Sequence, residues 1–326
     1  MIRGKKIFIT GGAGFIGSHL TEKLFRRNDV ICFDNLFRGS NIELLQKKYG
    51  SDFEKAVALV RGDVKDRKTL EKAVKDSRPD YVFHLASVAG VATVIKNPVE
   101  TLEVNVIGSY NLLQSIRQMP IEKLVFTSTS EVYGPFTFQT KEGDYTTQGS
   151  PYDPRWSYST SKLFVEHMCT AYEREYGTPV AIARLFNVYG SRQIGEGAIH
   201  NFIVNCLEKE PINIYGDGSQ IRAWCYIDDC IQGLLLLSEK GKGAYNVGNP
   251  KEALTVYSLA LKIREKINPE TPIFFVGKSP YTDVSVRVPS IEKITKLGYK
   301  PQVYLDEGLE RTIRWYKRNL KSPRDT

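Results

Sequence analysis

The apolar residues of this chain fall into short runs separated by polar and glycine-rich punctuation. Residues 6–10, 30–33, 58–61, 81–85, 123–127, 181–186 and 244–247 each read as a strand, the first of them clearly a buried one. Segments with helical spacing of apolar positions lie between most of them, among them 18–27, 69–75, 104–118 and 159–176. Strands alternating with helices predict an α/β fold, a doubly wound parallel sheet covered by helices on both faces. The alternation stops after Asn187. Residues 211–218 are turn-rich, and 255–266 and 306–317 are helical without intervening strand patterns. These pieces predict a smaller C-terminal lobe, with 224–238 and 244–247 returning to the main sheet. The expected division is therefore 1–187 plus a return at about 224–248, against 188–223 and 249–326.

The first strand runs directly into TGGAGFIG at 10–17, and a helical pattern follows. A glycine-rich turn in that context is the phosphate-binding turn of a Rossmann-type sheet. Gly11 permits the tight turn, Gly14 lets the backbone approach a pyrophosphate, and Gly17 lets helix and strand pack closely. The helix start adds free N–H groups and positive dipole. Asp34 ends the second strand, 23 residues after Gly11. A carboxylate there accepts from the adenosine ribose hydroxyls and repels a 2′-phosphate, which favours NAD over NADP despite Arg38 nearby. Asp63, at the end of the third strand, is placed either to meet the adenine amino group or to make an Asx turn or helix cap.

Composition narrows the class. The chain has 326 residues, 41% hydrophobic and 25% charged, a balance expected of a folded globular protein. It has no run of about 18 apolar residues to span a membrane, and the apolar stretch at 7–9 is too short for a signal-peptide core. A cytoplasmic protein is expected. The five cysteines form no CxxC pair and do not cluster with the four histidines, so free thiols are expected and no metal site. The net charge of +8 is spread over dispersed lysines rather than a basic helix, which argues against nucleic acid.

Two further segments carry candidate chemistry. Tyr158 and Lys162 stand four residues apart, on one face of a predicted helix. An ammonium beside a phenol lowers the phenol's pKa, so that Tyr158 would take a hydroxyl proton as hydride leaves. Thr129, Ser130 and Glu131 follow the fifth strand, and ligands of open α/β sheets bind beyond the carboxyl ends of the strands.

Together these segments resemble the extended short-chain dehydrogenase/reductases that modify nucleotide sugars. The resemblance covers nearly the whole chain. It rests on TGGAGFIGSHL (10–20), Asp34-Asn35, GDV (62–64), HLAS (84–87), Asn105, TSTSEVYG (127–134), YSTSK (158–162), RLFNVYG (184–190), IYGDGSQIRAWCYIDD (214–229) and YNVGNP (245–250). It implies NAD as cofactor, held by Gly11, Gly14, Phe15, Ile16, Gly17, Asp34, Asn35, Asp63, Val64, Leu85, Ala86, Ser87, Asn105, Tyr158 and Lys162. It implies a hydride-transfer centre of Thr129, Tyr158 and Lys162, and a substrate-binding C-terminal lobe. Asn187, Arg192 and Arg222 match positions that hold a uridine diphosphate, with Tyr215 bordering the base. A homodimer is implied, paired through helices 104–118 and 159–176.

Members of this group oxidise the sugar at C4 and later return the hydride. Epimerases rotate the 4-keto sugar between these steps, dehydratases use a Thr-Asp-Glu trio, and decarboxylases often carry Thr-Ser-Glu. Here the trio is Thr129-Ser130-Glu131. Eliminating the 6-hydroxyl benefits from a protonated acid at the middle position, and serine is a poor one. A β-keto carboxylate needs only to be positioned. The segment DVSVRVPSI (283–291) resembles the arginine motif of UDP-glucuronate decarboxylases. Arg287 would then pair with the carboxylate or stabilise the enolate, the alternative being a pyrophosphate or surface arginine. Segment 87–95 looks more like an epimerase, yet Ala92 stands where many epimerases carry arginine. The expected reaction is decarboxylation of UDP-glucuronate to UDP-xylose or its 4-keto product. A 4-epimerase or a dehydratase is the alternative. A non-catalytic NAD sensor is disfavoured because both Tyr158 and Lys162 are present.

Overall fold

A computed structural model describes residues 2–277 and 283–319. Seven strands form one wholly parallel sheet, ordered Gly243–Val247, Val180–Leu185, Lys123–Thr129, Tyr81–His84, Lys6–Thr10, Asp29–Asp34, Val57–Arg61. These are the seven apolar runs. The chain order reverses at Lys6–Thr10, whose neighbours are the second and fourth strands, so a ligand crevice opens at the carboxyl end of that strand.

The sheet divides two apolar layers. Ile7, Ile9, Cys32, Phe83 and Val125 face the layer containing helices Phe15–Leu24, Ala198–Glu208 and Ile227–Lys240. Phe8, Phe33, Val82, Leu124 and Phe126 face the layer containing Arg67–Ser77, Gly108–Ile116 and Trp156–Tyr176. Neighbours along each strand point to opposite faces, and both faces are buried along the central strands, while the edge strand Val57–Arg61 is half-exposed. Among the described residues no helix is long and apolar enough to cross a membrane.

The expected helix at 104–118 is broken. Pro98–Leu102 passes into a π turn, Glu103–Ile107, before Gly108–Ile116. One extra residue in that turn places Asn105 inward, and such insertions recur at functional sites. The helix after the glycine turn starts at Phe15 rather than 18, so Gly17 lies inside it.

A second, four-stranded sheet is ordered Ala253–Thr255, Ile221–Ala223, Val286–Pro289, Phe136–Thr140. Its last strand comes from the N-terminal half, which hydrophobic patterning did not suggest because Phe136 and Phe138 are exposed. That strand follows the Ser130–Tyr133 turn and pairs Phe136 with Val286, which pairs in turn with Ile221. Register therefore sets Arg222 beside Arg287, close to the 129–131 turn.

Candidate active site

The glycine turn is dictated by contact. A Cβ on Gly17 would stand 2.1 Å from the Gly11 carbonyl oxygen, and one on Gly11 would stand 2.8 Å from the Ala86 nitrogen. A Cβ on Gly12 would meet Cys32 at 2.7 Å, a constraint the sequence reading did not assign. Gly14 differs, because its nearest neighbour would be 3.4 Å away. Packing leaves room for a side chain there, and what a side chain would obstruct is the approach of a ligand. No side chain caps the helix that Gly14 starts, so its first N–H groups stay available to phosphate.

A cavity of about 390 Å³ opens here, lined by Gly11, Gly14, Phe15, Ile16, Gly17, Asp34, Asn35, Val64, Leu85, Ala86 and Ser87. The Asp34 carboxylate accepts from the N–H groups of Ala13 at 3.0 Å and Leu36 at 2.8 Å. Burial nevertheless holds its pKa above the ordinary value, against those hydrogen bonds. Ala86 is steered by Thr10, whose hydroxyl accepts the Ala86 N–H at 3.2 Å. The unobstructed cradle at Gly14, the uncapped helix start and the carboxylate at the second strand suit NAD.

Two predicted cofactor residues and one predicted diphosphate ligand sit otherwise. Asp63 makes an Asx turn, accepting from Lys65 N at 2.8 Å, and also accepts from Asn35 Nδ2 at 3.2 Å. Asn105 is buried rather than facing the cavity. It accepts from Ser87 Oγ at 2.9 Å and Val88 N at 3.0 Å and donates to Ser161 Oγ at 3.0 Å. It thus ties the 87–88 loop to the catalytic helix. Arg192, expected at the diphosphate, lines the NAD cavity instead and ion-pairs with Glu22 of the first helix. Its backbone is left-handed, with a φ of 65°.

Thr129, Ser130, Tyr158 and Lys162 converge at the carboxyl end of the Lys123–Thr129 strand. Lys162 is 2% exposed, and its Nζ donates to the Thr127 carbonyl at 2.9 Å. Burial lowers its pKa to about 7. The Nζ lies 5.9 Å from the Tyr158 ring centre. The expected lowering of the Tyr158 pKa does not appear without nucleotide. Burial first, and the Glu131 carboxylate second, push the phenol up to about 12, against a hydrogen bond from Thr129. The phenol is therefore held protonated until further positive charge enters the site.

Glu131 lies among arginines. Its Oε1 is 3.3 Å from Arg287 Nη1, and both oxygens are 3.5 Å from Arg155 Nη2. Burial would raise its pKa, but Arg287, Arg155 and Arg222 outweigh that and hold it below the usual range. Arg287 is 1% exposed, reaching Ser130 Oγ at 3.3 Å and the Gly134 carbonyl at 2.8 Å. Arg222 stands beside it, 3.7 Å from Asp283, with its pKa lowered to about 10 by burial and by Arg287. The Nε atoms of Arg155 and Arg287 are buried without a partner. Three guanidinium groups around one half-buried glutamate leave cationic capacity for an anionic ligand.

Asn187 adopts a φ of +37° and donates to the Ala223 carbonyl at 3.1 Å, which fixes it beside the Arg222 strand. Tyr215 is exposed at the rim of that lobe. Sequence reasoning did not assign Arg155. It starts the catalytic helix, three residues before Tyr158, and that i,i+3 spacing was the available signal.

Residues 7–248 match the NAD dependent epimerase/dehydratase family. UDP-glucuronic acid decarboxylase 1 of Danio rerio is 36% identical over 322 residues, covering 97% of this chain and 74% of that protein. UDP-glucuronic acid decarboxylase 3 of Arabidopsis thaliana is 37% identical over 327 residues, covering 98% of this chain and 91% of that one. Among solved structures, a UDP-glucuronic acid 4-epimerase from Bacillus cereus, in complex with UDP-glucuronic acid and NAD, superposes with a TM-score of 0.85 at 30% identity, covering 96% of this chain and 99% of that one.

Proposed function

Because the chain belongs to the NAD-dependent epimerase/dehydratase family, we propose that it decarboxylates UDP-glucuronate through a 4-keto intermediate. The observation that carries this reading is the cluster of Arg287, Arg155 and Arg222 around Glu131, with two guanidinium Nε atoms unpartnered. A neutral hexose needs no such cluster, whereas a sugar carboxylate placed there meets bidentate partners.

NAD, held by Gly14, the helix start at Phe15 and Asp34, would supply the hydride acceptor for C4 and the donor for its return, and its positive charge would favour the phenolate of Tyr158. Tyr158 is the base for the C4 hydroxyl, oriented by Thr129. Lys162 opposes the phenol's return to neutrality. Ser130 and Arg287 hold the carboxylate of the 4-keto sugar across from C4, and loss of carbon dioxide leaves an enolate for Arg287 to stabilise. Glu131, held ionised by its arginines, orients the carboxylate or manages the proton at C5. Asn187 and Arg222 suit the diphosphate, and exposed Tyr215 suits the base. Residues 1–187 with the 224–248 return serve the cofactor, and 188–223 with 249–326 serve the sugar nucleotide.

A homodimer is supported by apolar side chains left exposed on Pro98–Leu102, Glu103–Ile107, Gly108–Ile116 and Trp156–Tyr176: Val99, Leu102, Ile107, Tyr110 and Phe164. Five unpaired, buried cysteines support a reducing compartment, the cytoplasm.

The test is incubation with UDP-glucuronate and NAD, read by mass spectrometry. A product lighter by carbon dioxide is expected, and Arg287→Ala should cut kcat/KM by about 2–5 kcal/mol because a desolvated carboxylate loses its partner. An isomer of unchanged mass makes the protein a 4-epimerase. Loss of water from a neutral hexose makes it a dehydratase.

A further inference from the structure

The loop at 191–197 closes the NAD cavity by joining its two rims. Arg192, Gln193, Ile194 and Glu196 line the cavity on one side, and Ala89 and Gly90 line it opposite. The loop's first half is anchored several times. Asn41 donates to the Arg192 carbonyl at 3.2 Å while its own N–H holds Ala13 of the glycine turn at 2.9 Å. His19 contacts the Ser191 carbonyl at 3.0 Å, and Tyr316 donates to the Gln193 carbonyl. Across the cavity the loop is held by one side chain. The Glu196 carboxylate accepts from the N–H groups of Ala92 and Thr93, at 2.9 Å each, and from the Thr93 hydroxyl. Gly90 has no side chain because a Cβ there would stand 2.7 Å from that carboxylate. Gly195 and Gly197, with φ of +96° and +132°, flank Glu196 and supply rotational freedom.

We propose that Glu196 is a latch that sets how long reduced cofactor stays on the enzyme, and so which product leaves. This rests on the decarboxylase reading for the product, though not for the latch. Hydride passes from C4 to NAD⁺, the C4 hydroxyl proton passes to Tyr158, carbon dioxide leaves and C5 takes a proton. If NADH is retained, its hydride returns to C4 and a proton to the oxygen, giving a redox-neutral pentose. If NADH escapes first, the 4-ketopentose leaves and one NAD⁺ is consumed per sugar. A charged carboxylate on three donors is a strong tether, because charge-assisted hydrogen bonds are roughly twice as strong as neutral ones. Opening at Glu196 frees the loop to swing on its anchored half.

The test measures NADH dissociation without substrate, by stopped-flow fluorescence of NADH-loaded enzyme chased with excess NAD⁺. Glu196→Gln should release NADH at least about tenfold faster, equivalent to about 1.4 kcal/mol. Thr93→Val, which removes the hydroxyl that donates to Glu196 and accepts from Arg38 Nη2 at 3.4 Å but keeps both backbone donors, should accelerate release by a smaller factor and keeps the test open if the first variant fails to fold. With UDP-glucuronate, the 4-keto share of product should rise in the same order, a ratio that general loss of structure would not move. Release rates within about twofold of wild type, in variants of unchanged melting temperature, overturn the latch. Faster release without any loss of carbon dioxide supports the latch and sinks the decarboxylase reading alone.

Discussion

Replacing Lys162 by Met should stabilise the nucleotide-free protein at neutral pH while abolishing its activity. Lys162 is buried, and burial lowers its pKa to about 7 from 10.5, with Glu166 and Cys169 opposing only weakly. Each unit is about 1.4 kcal/mol, so at pH 7 the folded state carries a penalty of roughly 4 kcal/mol for this ammonium. The sign follows from proton counts. The folded pKa lies below the unfolded one, so between pH 7 and 10.5 this lysine binds more protons in the unfolded chain, and its penalty shrinks as pH rises through that window. Met has similar length and no proton. Its cost is the orphaned Thr127 carbonyl, which now accepts from Nζ at 2.9 Å, and that costs about 1–3 kcal/mol. Lys162→Met should therefore be more stable by roughly 1–3 kcal/mol at pH 7 and, with about 1 kcal/mol of the penalty remaining, less stable by up to about 2 kcal/mol near pH 10. Tyr158, raised to about 12, and the five buried cysteines, all raised by burial, act in the opposite sense at high pH, but both proteins share them, so the difference between the two curves reports Lys162. Urea titrations of nucleotide-stripped protein at several pH values give the difference directly. A variant that is less stable by a constant amount from pH 7 to 10 would refute the reasoning, because no burial penalty would then exist to relieve. A crossing of the two curves would show stability given up for function.

The glycines allow a sharper contrast: Gly17→Ala, with a clash at 2.1 Å from backbone, should prevent the turn from forming, whereas Gly14→Ala should fold normally and lose NAD affinity, as thermal melting with and without NAD will tell. Asp34→Ala should weaken NAD and narrow its advantage over NADP, and equal affinities of the wild type for the two cofactors, measured by titration, would remove the basis for assigning NAD. Tyr158→Phe should lower turnover at least about 100-fold while sugar-nucleotide binding by calorimetry stays near normal, and near-normal turnover would sink the base assignment.

Much was legible in the chain before any folding. The strands announce themselves as apolar runs because both faces of the central parallel sheet exclude water, and even the half-exposed edge strand Val57–Arg61 keeps an apolar pattern. The glycine turn is local in part, since Gly17 answers to the Gly11 carbonyl and Gly11 has a φ of +70°, although the atom that a Gly11 Cβ would strike belongs to Ala86, far along the chain. Tyr158 and Lys162 were readable because helical spacing alone puts them on one face. The remainder depends on residues far apart in sequence. The strand Phe136–Thr140 was missed because it is an edge with two exposed phenylalanines, so its apolar pattern does not report burial. Yet that strand determines where Arg287 goes, 157 residues from the serine it reaches. Arg192 has the residue type for a diphosphate, but its ion pair with Glu22 holds it at the cofactor cavity. The Tyr158 pKa shows the same division most plainly. Sequence supplies the phenol and the ammonium, while burial and the nearby Glu131 raise the phenol's pKa, and both of those are products of tertiary packing. Local geometry is encoded in neighbouring residues, but desolvation and through-space charge exist only once distant segments have met.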